Sequence, residues 1–169
     1  MTVWRMWGIL ILLAGCATSA FSQDRLPRSF SEATGLHVMA YDGLSHRSEG
    51  YYASLCAVVD SEMAVSHGPV RLHVVFVDQP TCDRIIAANP GRFQGKELTG
   101  AFIPPGLILL VGDEESDDTF MHEYLHYLQV CGLIFRGVPI DQVHRRIEET
   151  EGYLLASAAY IRFLHRDEH

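Results

Sequence analysis

The sequence predicts an α+β domain in which a short mixed sheet packs on two helices, and three observations support this prediction. Runs rich in β-branched and aliphatic residues predict strands near 70–78, 98–103 and 107–112. Apolar residues at helical spacing predict one helix that begins near residue 117 and a long C-terminal helix over about 140–164. A chain of 169 residues with 48% hydrophobic content is long enough for one domain with a buried core.

The first residues predict export rather than folded structure. Arg5 precedes the apolar run Trp7 to Ala14, which is too short to span a bilayer. The stretch Leu13-Ala14-Gly15-Cys16 resembles the bacterial lipobox, in which the cysteine is lipidated and becomes the first residue of the mature protein. An ordinary secretory signal peptide, cleaved after Ala20 or Ser22, is the alternative.

We therefore divide the chain into a signal peptide (1–15), a tether (16–34) and a folded domain (35–169). A lipid anchor on Cys16 would hold the domain at a membrane facing the periplasm, and Ala17 after the cysteine implies sorting to the outer membrane. Without lipidation, the protein would be periplasmic or secreted.

Net charge bears on possible binding partners, and cysteine content bears on disulfide bonds. The formal net charge of −8 and the absence of a concentrated basic stretch argue against a nucleic-acid partner. In an oxidising compartment we expect one disulfide and one buried thiol among the cysteines of the domain, with the pairing left open. These cysteines are Cys56, Cys82 and Cys131.

The first elements of the domain follow from local patterns. Residues 48–64 place apolar side chains at helical spacing behind Ser48, a suitable N-cap. Residues 70–78 are dense in β-branched residues and predict a buried or half-buried strand. A short helix over 81–91 is ended by Asn89-Pro90-Gly91.

The next two apolar runs predict a β-hairpin, because Pro104-Pro105-Gly106 divides residues 98–113 at a tight turn. The acidic run from Asp113 to Asp118 then supplies the cap and first turn of a helix that begins at Asp117 or Asp118.

That helix contains the stretch TFMHEYLHYLQVCG, residues 119–132. His122 and His126 are four residues apart, so both imidazoles lie on one helix face and can bind one metal ion. Glu123 is one step round, where its carboxylate can act on a water molecule at the ion without competing for the metal. The uncharged flanking residues indicate a buried helix beside a poorly hydrated cleft.

Catalytic zinc uses three protein ligands and one open position, so a third ligand is required. Glu149 is favoured, because it shares a helix face with Gly152 and Ala156, whose small size would allow two helices to approach closely. Glu151 is the rival because it directly precedes Gly152. Glu148 ranks last, since no small residue stands three positions after it.

On these residues the chain resembles a minimal gluzincin, a zinc metallopeptidase with HExxH on one helix and a glutamate on the next. The stretch Glu149-Thr150-Glu151-Gly152-Tyr153-x-x-Ala156 is similar to the ExEAN-type helix of small bacterial peptidases, with glycine in place of alanine and Tyr153 in place of the polar residue. The similarity covers roughly residues 107–164.

The resemblance implies a zincin-like fold that binds Zn²⁺ through His122, His126 and Glu149 and hydrolyses peptide bonds with Glu123 as general base. It also implies an edge strand at Leu107 to Val111, where a peptide or protein substrate would add by β-augmentation. No oxyanion donor is assigned, and three residues are candidates by residue type alone: Tyr153, Tyr160 and His144.

Simpler interpretations of the motif are a surface helix with solvated histidines and a non-catalytic zinc site. His144 shows no ligand spacing, like the remaining histidines of the chain. The alternative function is a binding or scaffold lipoprotein of the envelope that keeps a metallopeptidase fold without activity. Retention of Glu123 favours the enzyme, because metal binding alone does not need that carboxylate.

Overall fold

The structure, a computed structural model, describes residues 35–40, 44–88, 99–112 and 117–167. The predicted signal peptide, the lipidation site Cys16 and the tether lie outside the described residues, as does most of the acidic run before the motif helix. Within the described part of the chain, no helix is long and apolar enough to cross a membrane.

The described residues form an α+β arrangement of four strands and five helices, which confirms the predicted α+β class. In chain order the elements are β1 (Leu36–Ala40), α1 (Glu49–Glu62), β2 (Leu72–Val77), α2 (Gln79–Ala88), β3 (Gly100–Ile103), β4 (Leu107–Val111), α3 (Asp117–Val130), α4 (Ile140–Leu155) and α5 (Ala158–Asp167).

The four strands form one mixed sheet in the order β1-β2-β4-β3. Strands β1, β2 and β4 are parallel, and β3 is antiparallel to β4. All six residues of β2 are buried, as expected for a strand with parallel neighbours on both sides. Strand β1 was not predicted, because its five residues LHVMA are mostly half-exposed and carry a weak strand pattern.

The antiparallel pair β3 and β4 confirms the predicted hairpin. However, β4 lies between β2 and β3, so the prediction that Leu107 to Val111 forms an edge strand is wrong. The run LILLV is almost continuously buried, which is the pattern of an interior strand with both faces covered. Among the described strands, β3 is the edge on this side of the sheet.

Two hydrophobic clusters cover the two faces of the sheet. The larger joins Leu72, Val74 and Phe76 of β2 to helices α1, α3, α4 and α5. The smaller contains Val75 of β2 and Cys82 of α2. The alternation of side chains along each strand separates the clusters, so the motif helix belongs to the larger one.

Serine side chains cap the N-termini of two helices. Ser48 caps α1 as predicted, because its Oγ accepts a hydrogen bond from the N–H of Tyr51 at 3.2 Å. The prediction of one continuous C-terminal helix is wrong, since α4 ends at Leu155 and α5 begins at Ala158. Ser157 lies at the break, and its Oγ accepts from the N–H of Tyr160 at 3.1 Å, which caps the new helix.

The expected disulfide is also absent from the described residues, in which all three cysteines carry free thiols. Cys56 and Cys82 belong to clusters on opposite faces of the sheet, so they cannot meet without unfolding. Cys131 is exposed just beyond the end of α3.

A polar network fastens α3 to α1. The hydroxyl of Tyr124 donates to Asp60 Oδ1 at 3.0 Å, and His67 Nε2 lies 3.1 Å from Asp60 Oδ2 and 3.2 Å from the same hydroxyl. The other ring nitrogen of His67 donates to the carbonyl of Gly68. Burial alone would lower the pKa of His67, but the Gly68 carbonyl and the Asp60 carboxylate favour the imidazolium and raise the pKa overall.

We predict that His67→Gln removes a pH-dependent part of the stability. Because the folded-state pKa of His67 is raised, its contribution is fully present below the unfolded pKa of about 6.5 and is lost as pH rises through the folded pKa. Urea denaturation should therefore show a loss of about 1 kcal/mol near pH 6 and a smaller loss near pH 8.5. Asp60→Asn should remove the same pH-dependent difference. Equal losses at both pH values would contradict the assignment.

Candidate metal centre

The motif helix α3 begins at Asp117, as predicted, and turns its apolar side into the core. Phe120, Tyr124 and Leu128 are fully buried, and they leave His122 and His126 half-buried on another face. The two imidazole rings lie with their centroids 5.1 Å apart. The structure thus brings the two predicted histidine ligands together, as their spacing of four residues requires.

A third histidine, His144 in the first turns of α4, completes the group. Its ring centroid is 5.3 Å from that of His122 and 6.0 Å from that of His126. One ring nitrogen from each histidine lies within 4.8 Å of the other two. His144 is exposed, so the group faces solvent on one side and is covered by protein on the other.

The chemistry of these donors fits a metal ion. Burial, followed by the proximity of His122 and His144, lowers the pKa of His126 to about 4. A neutral imidazole at physiological pH keeps a lone pair for a metal, and three imidazole nitrogens with one open position form a recognised catalytic zinc set.

Sequence reasoning did not place His144 in this group. It lies 18 residues beyond His126, on a different helix, and nothing in its neighbourhood marks it as a ligand. Its position beside the motif helix depends on the loop between α3 and α4, which returns the chain to that helix. The resemblance instead implies a ligand among the glutamates that follow it.

Glu149, the predicted third ligand, lies away from the histidines. Its carboxylate pairs with Arg146 at 3.2 Å and with Arg145 at 3.7 Å, and it is exposed. Two residues before it, Ile147 is fully buried, so Glu149 lies on nearly the opposite side of α4 from the core. Gly152 is also exposed, with open space around the position of a Cβ, so the small-residue face does not pack against α3.

The other two glutamates contact histidines of the group. Glu151 Oε2 lies 2.6 Å from Nδ1 of His122, and both side chains are about one-fifth exposed. Glu148 Oε1 lies 3.2 Å from Nε2 of His144, and both of these side chains are more than half exposed. Neither carboxylate belongs to the group of three converging ligand atoms.

Glu123 is a buried carboxyl group, 8% exposed, between the motif helix and the sheet edge. Burial raises its pKa to about 6, against the opposing effects of His122 and of a hydrogen bond from the backbone N–H of Phe102. The N–H of Val111 donates to the carbonyl of Thr99 at 2.9 Å. This register turns the backbone N–H and C=O of Phe102 to the outer edge of β3, which pairs with no other described strand.

Gly100 permits this close approach of helix and strand. A Cβ at Gly100 would lie 2.5 Å from Cγ2 of Thr119 and 3.3 Å from Cγ of Glu123. A larger residue would push β3 away from the motif helix, and the hydrogen bond from Phe102 to Glu123 would lengthen. The position of the carboxylate therefore depends on a glycine in β3.

The two tyrosines considered as oxyanion donors are engaged elsewhere. The Tyr153 hydroxyl donates to Glu62 at 3.0 Å on an exposed surface. The Tyr160 hydroxyl donates to Asp117 at 2.8 Å, and Tyr51 donates to the same carboxylate at 2.7 Å. These bonds connect α1 and α5 to the start of the motif helix.

We predict that Glu123→Gln stabilises the metal-free protein above pH 6. A carboxyl group whose folded-state pKa is raised from 4.5 to about 6 weakens the fold as pH rises through that window, and the full cost is present above it. The amide removes this cost and can still accept from Phe102. Denaturation in the presence of chelator should show a gain of roughly 1–2 kcal/mol near pH 7.5 and none near pH 4. A less stable variant near pH 7.5 would contradict the burial argument.

Comparisons of the chain with protein-family models, with curated proteins and with solved structures find no match. Function is therefore inferred from the geometry of His122, His126, His144 and Glu123.

Proposed function

We propose that this protein is a zinc-dependent peptidase in which His122, His126 and His144 hold the metal and Glu123 is the general base. The observation that carries the proposal is the convergence of three imidazoles from two helices, with a buried carboxylate in the same motif. This combination supplies three metal ligands together with a separate acid-base group, which a purely structural zinc site does not need.

The donor set favours zinc among the common divalent ions. Imidazole nitrogens suit zinc and other transition metals, whereas magnesium and calcium prefer oxygen ligands. A bound Zn²⁺ supplies Lewis acidity and lowers the pKa of water at its open position to about 7. His144 is exposed, so solvent and a substrate could reach a metal held by the three histidines.

Glu123 provides the proton transfers. With a pKa of about 6, its carboxylate is ionised at neutral pH and basic enough to accept a proton from the attacking water. The same group then returns the proton to the leaving amine. The N–H of Phe102 and the packing against Gly100 hold the carboxylate in one place, so little ordering is required during the reaction.

An extended peptide is the substrate that suits the surroundings of the site. Among the described strands, the outer edge of β3 has no neighbour, and it carries the outward backbone groups of Gly100 and the carbonyl of Phe102, beside Glu123. A peptide that adds to this edge as a further strand would place a backbone carbonyl near the histidines. With a lipid anchor on Cys16 and export, the peptidase would act on peptides or proteins outside the cytoplasm.

The ligand assignment predicts different results for two residues of α4. We expect the wild-type protein to bind one Zn²⁺, and His144→Ala or His122→Ala to lose it, because two remaining ligands hold zinc weakly. Glu149→Ala should bind zinc like the wild type, which makes it a matched control on the same helix. Elemental analysis measures the zinc content of each variant, and competition with a chromophoric chelator measures its zinc affinity. Zinc loss in Glu149→Ala with retention in His144→Ala would reverse the assignment.

The assignment of Glu123 predicts that metal binding and catalysis separate. Glu123→Gln should retain zinc and lose at least about 100-fold in kcat/KM, because the amide cannot accept the proton. The assay uses a library of internally quenched peptides, with chelator and with zinc added back. Full activity of Glu123→Gln would exclude it as the base. A zinc-loaded wild type that cleaves no peptide would contradict the peptidase and favour the binding or scaffold alternative.

A further inference from the structure

We propose that Glu151 is a positioning residue that holds His122 in the neutral tautomer whose Nε2 keeps a lone pair for the metal. The inference deepens the proposed metal site and rests on it. Its basis is the 2.6 Å contact between Glu151 Oε2 and Nδ1 of His122, formed between side chains that are 22% and 18% exposed. At this distance and burial, the contact is a strong, charge-assisted hydrogen bond.

The bond determines which nitrogen of His122 is available. A neutral imidazole carries its hydrogen on one nitrogen and a lone pair on the other. A carboxylate can only accept, so the hydrogen must be on Nδ1 of His122 and the lone pair on Nε2. Nε2 is on the other side of the ring from the hydrogen-bonded Nδ1, so it is the nitrogen of His122 that remains to bind a metal. Glu151 therefore acts on the metal through His122 and is not itself a ligand.

The position of Glu151 is set by the same helix that supplies the third ligand. His144 and Glu151 are seven residues apart, two turns along one face of α4. Between them Ile147 is fully buried, and it anchors α4 in the core. The docking of one helix thus delivers a ligand and the partner of another ligand together, so neither can shift without the other.

The three neighbouring glutamates of α4 occupy different surroundings and provide internal controls. Glu148 contacts His144, but both side chains are more than half exposed, where water screens the interaction. Glu149 pairs with Arg145 and Arg146. Glu151 is the least exposed of the three and makes the shortest contact with a histidine. The positioning effect should therefore be found for Glu151 and not for Glu149.

The first test reads the tautomer directly in the metal-free protein. Nitrogen-15 NMR of the histidine side chains of the full chain at about pH 8 should show hydrogen on Nδ1 of His122 in the wild type. Glu151→Ala should shift His122 toward hydrogen on Nε2, and Glu151→Gln should retain Nδ1–H because its amide oxygen still accepts. An unchanged His122 tautomer in Glu151→Ala would overturn the proposal.

The second test measures zinc affinity by chelator competition. Glu151→Ala should bind zinc about 10- to 100-fold more weakly than the wild type, the range found when such partners of ligands are removed. Glu151→Gln should recover most of this loss, and Glu149→Gln should equal the wild type. Affinity unchanged in Glu151→Ala would overturn the proposal. Loss as complete as in His144→Ala, without recovery in Glu151→Gln, would show that Glu151 is a ligand.

The two tests separate this inference from the proposed function. If the wild type binds no zinc, the metallopeptidase proposal fails, while the tautomer of His122 in the metal-free chain still decides the role of Glu151. Glu151→Gln nearly preserves side-chain volume and serves as the folded reference if Glu151→Ala unfolds, with circular dichroism as the check.

Discussion

Ile147 is fully buried in the main core, and together with Val143 and Leu154 it fastens α4 against the helices and sheet around it. Each such side chain contributes about 1.5–3 kcal/mol when it leaves water. This apolar contact determines where the polar face of α4 lies, and that face carries His144 and Glu151. The candidate metal centre therefore depends on the hydrophobic docking of α4, because the motif helix carries only two of its three histidines.

The motif helix is held at three further points. Asp117 at its start accepts hydrogen bonds from tyrosines of α1 and α5. Tyr124 in its middle joins Asp60 and His67. On another side, β3 approaches so closely at Gly100 that no Cβ fits without a shift. Rigid support of this kind fixes side chains whose own rotamers would otherwise vary, and it is a requirement of catalytic and metal sites.

The same arrangement is costly for the metal-free protein. Burial keeps Glu123 partly protonated near pH 6 and lowers the pKa of His126. The folded protein therefore disfavours the charged forms of both side chains. A cation bound by His122, His126 and His144 would offset this cost, because metal binding stabilises the fold that presents the ligands. Buried polar groups that weaken a fold are common where function requires them.

Local patterns were sufficient for most elements and for the motif, because the periodicity of a strand, a serine cap and the spacing of His122 and His126 depend on a few neighbouring residues. The third histidine of the group could not be found in this way. Glu149 was favoured because of the small residues after it, yet its side chain lies on the solvent side of α4. His144, which no neighbouring residue marks as a ligand, joins the two histidines of the motif helix instead. The sequence by itself determined an α+β domain and one helix with two histidines and a glutamate. Only the tertiary structure decided that β4 is an interior strand and that His144 and Glu151 meet that helix, because strand order and helix docking depend on contacts between distant residues.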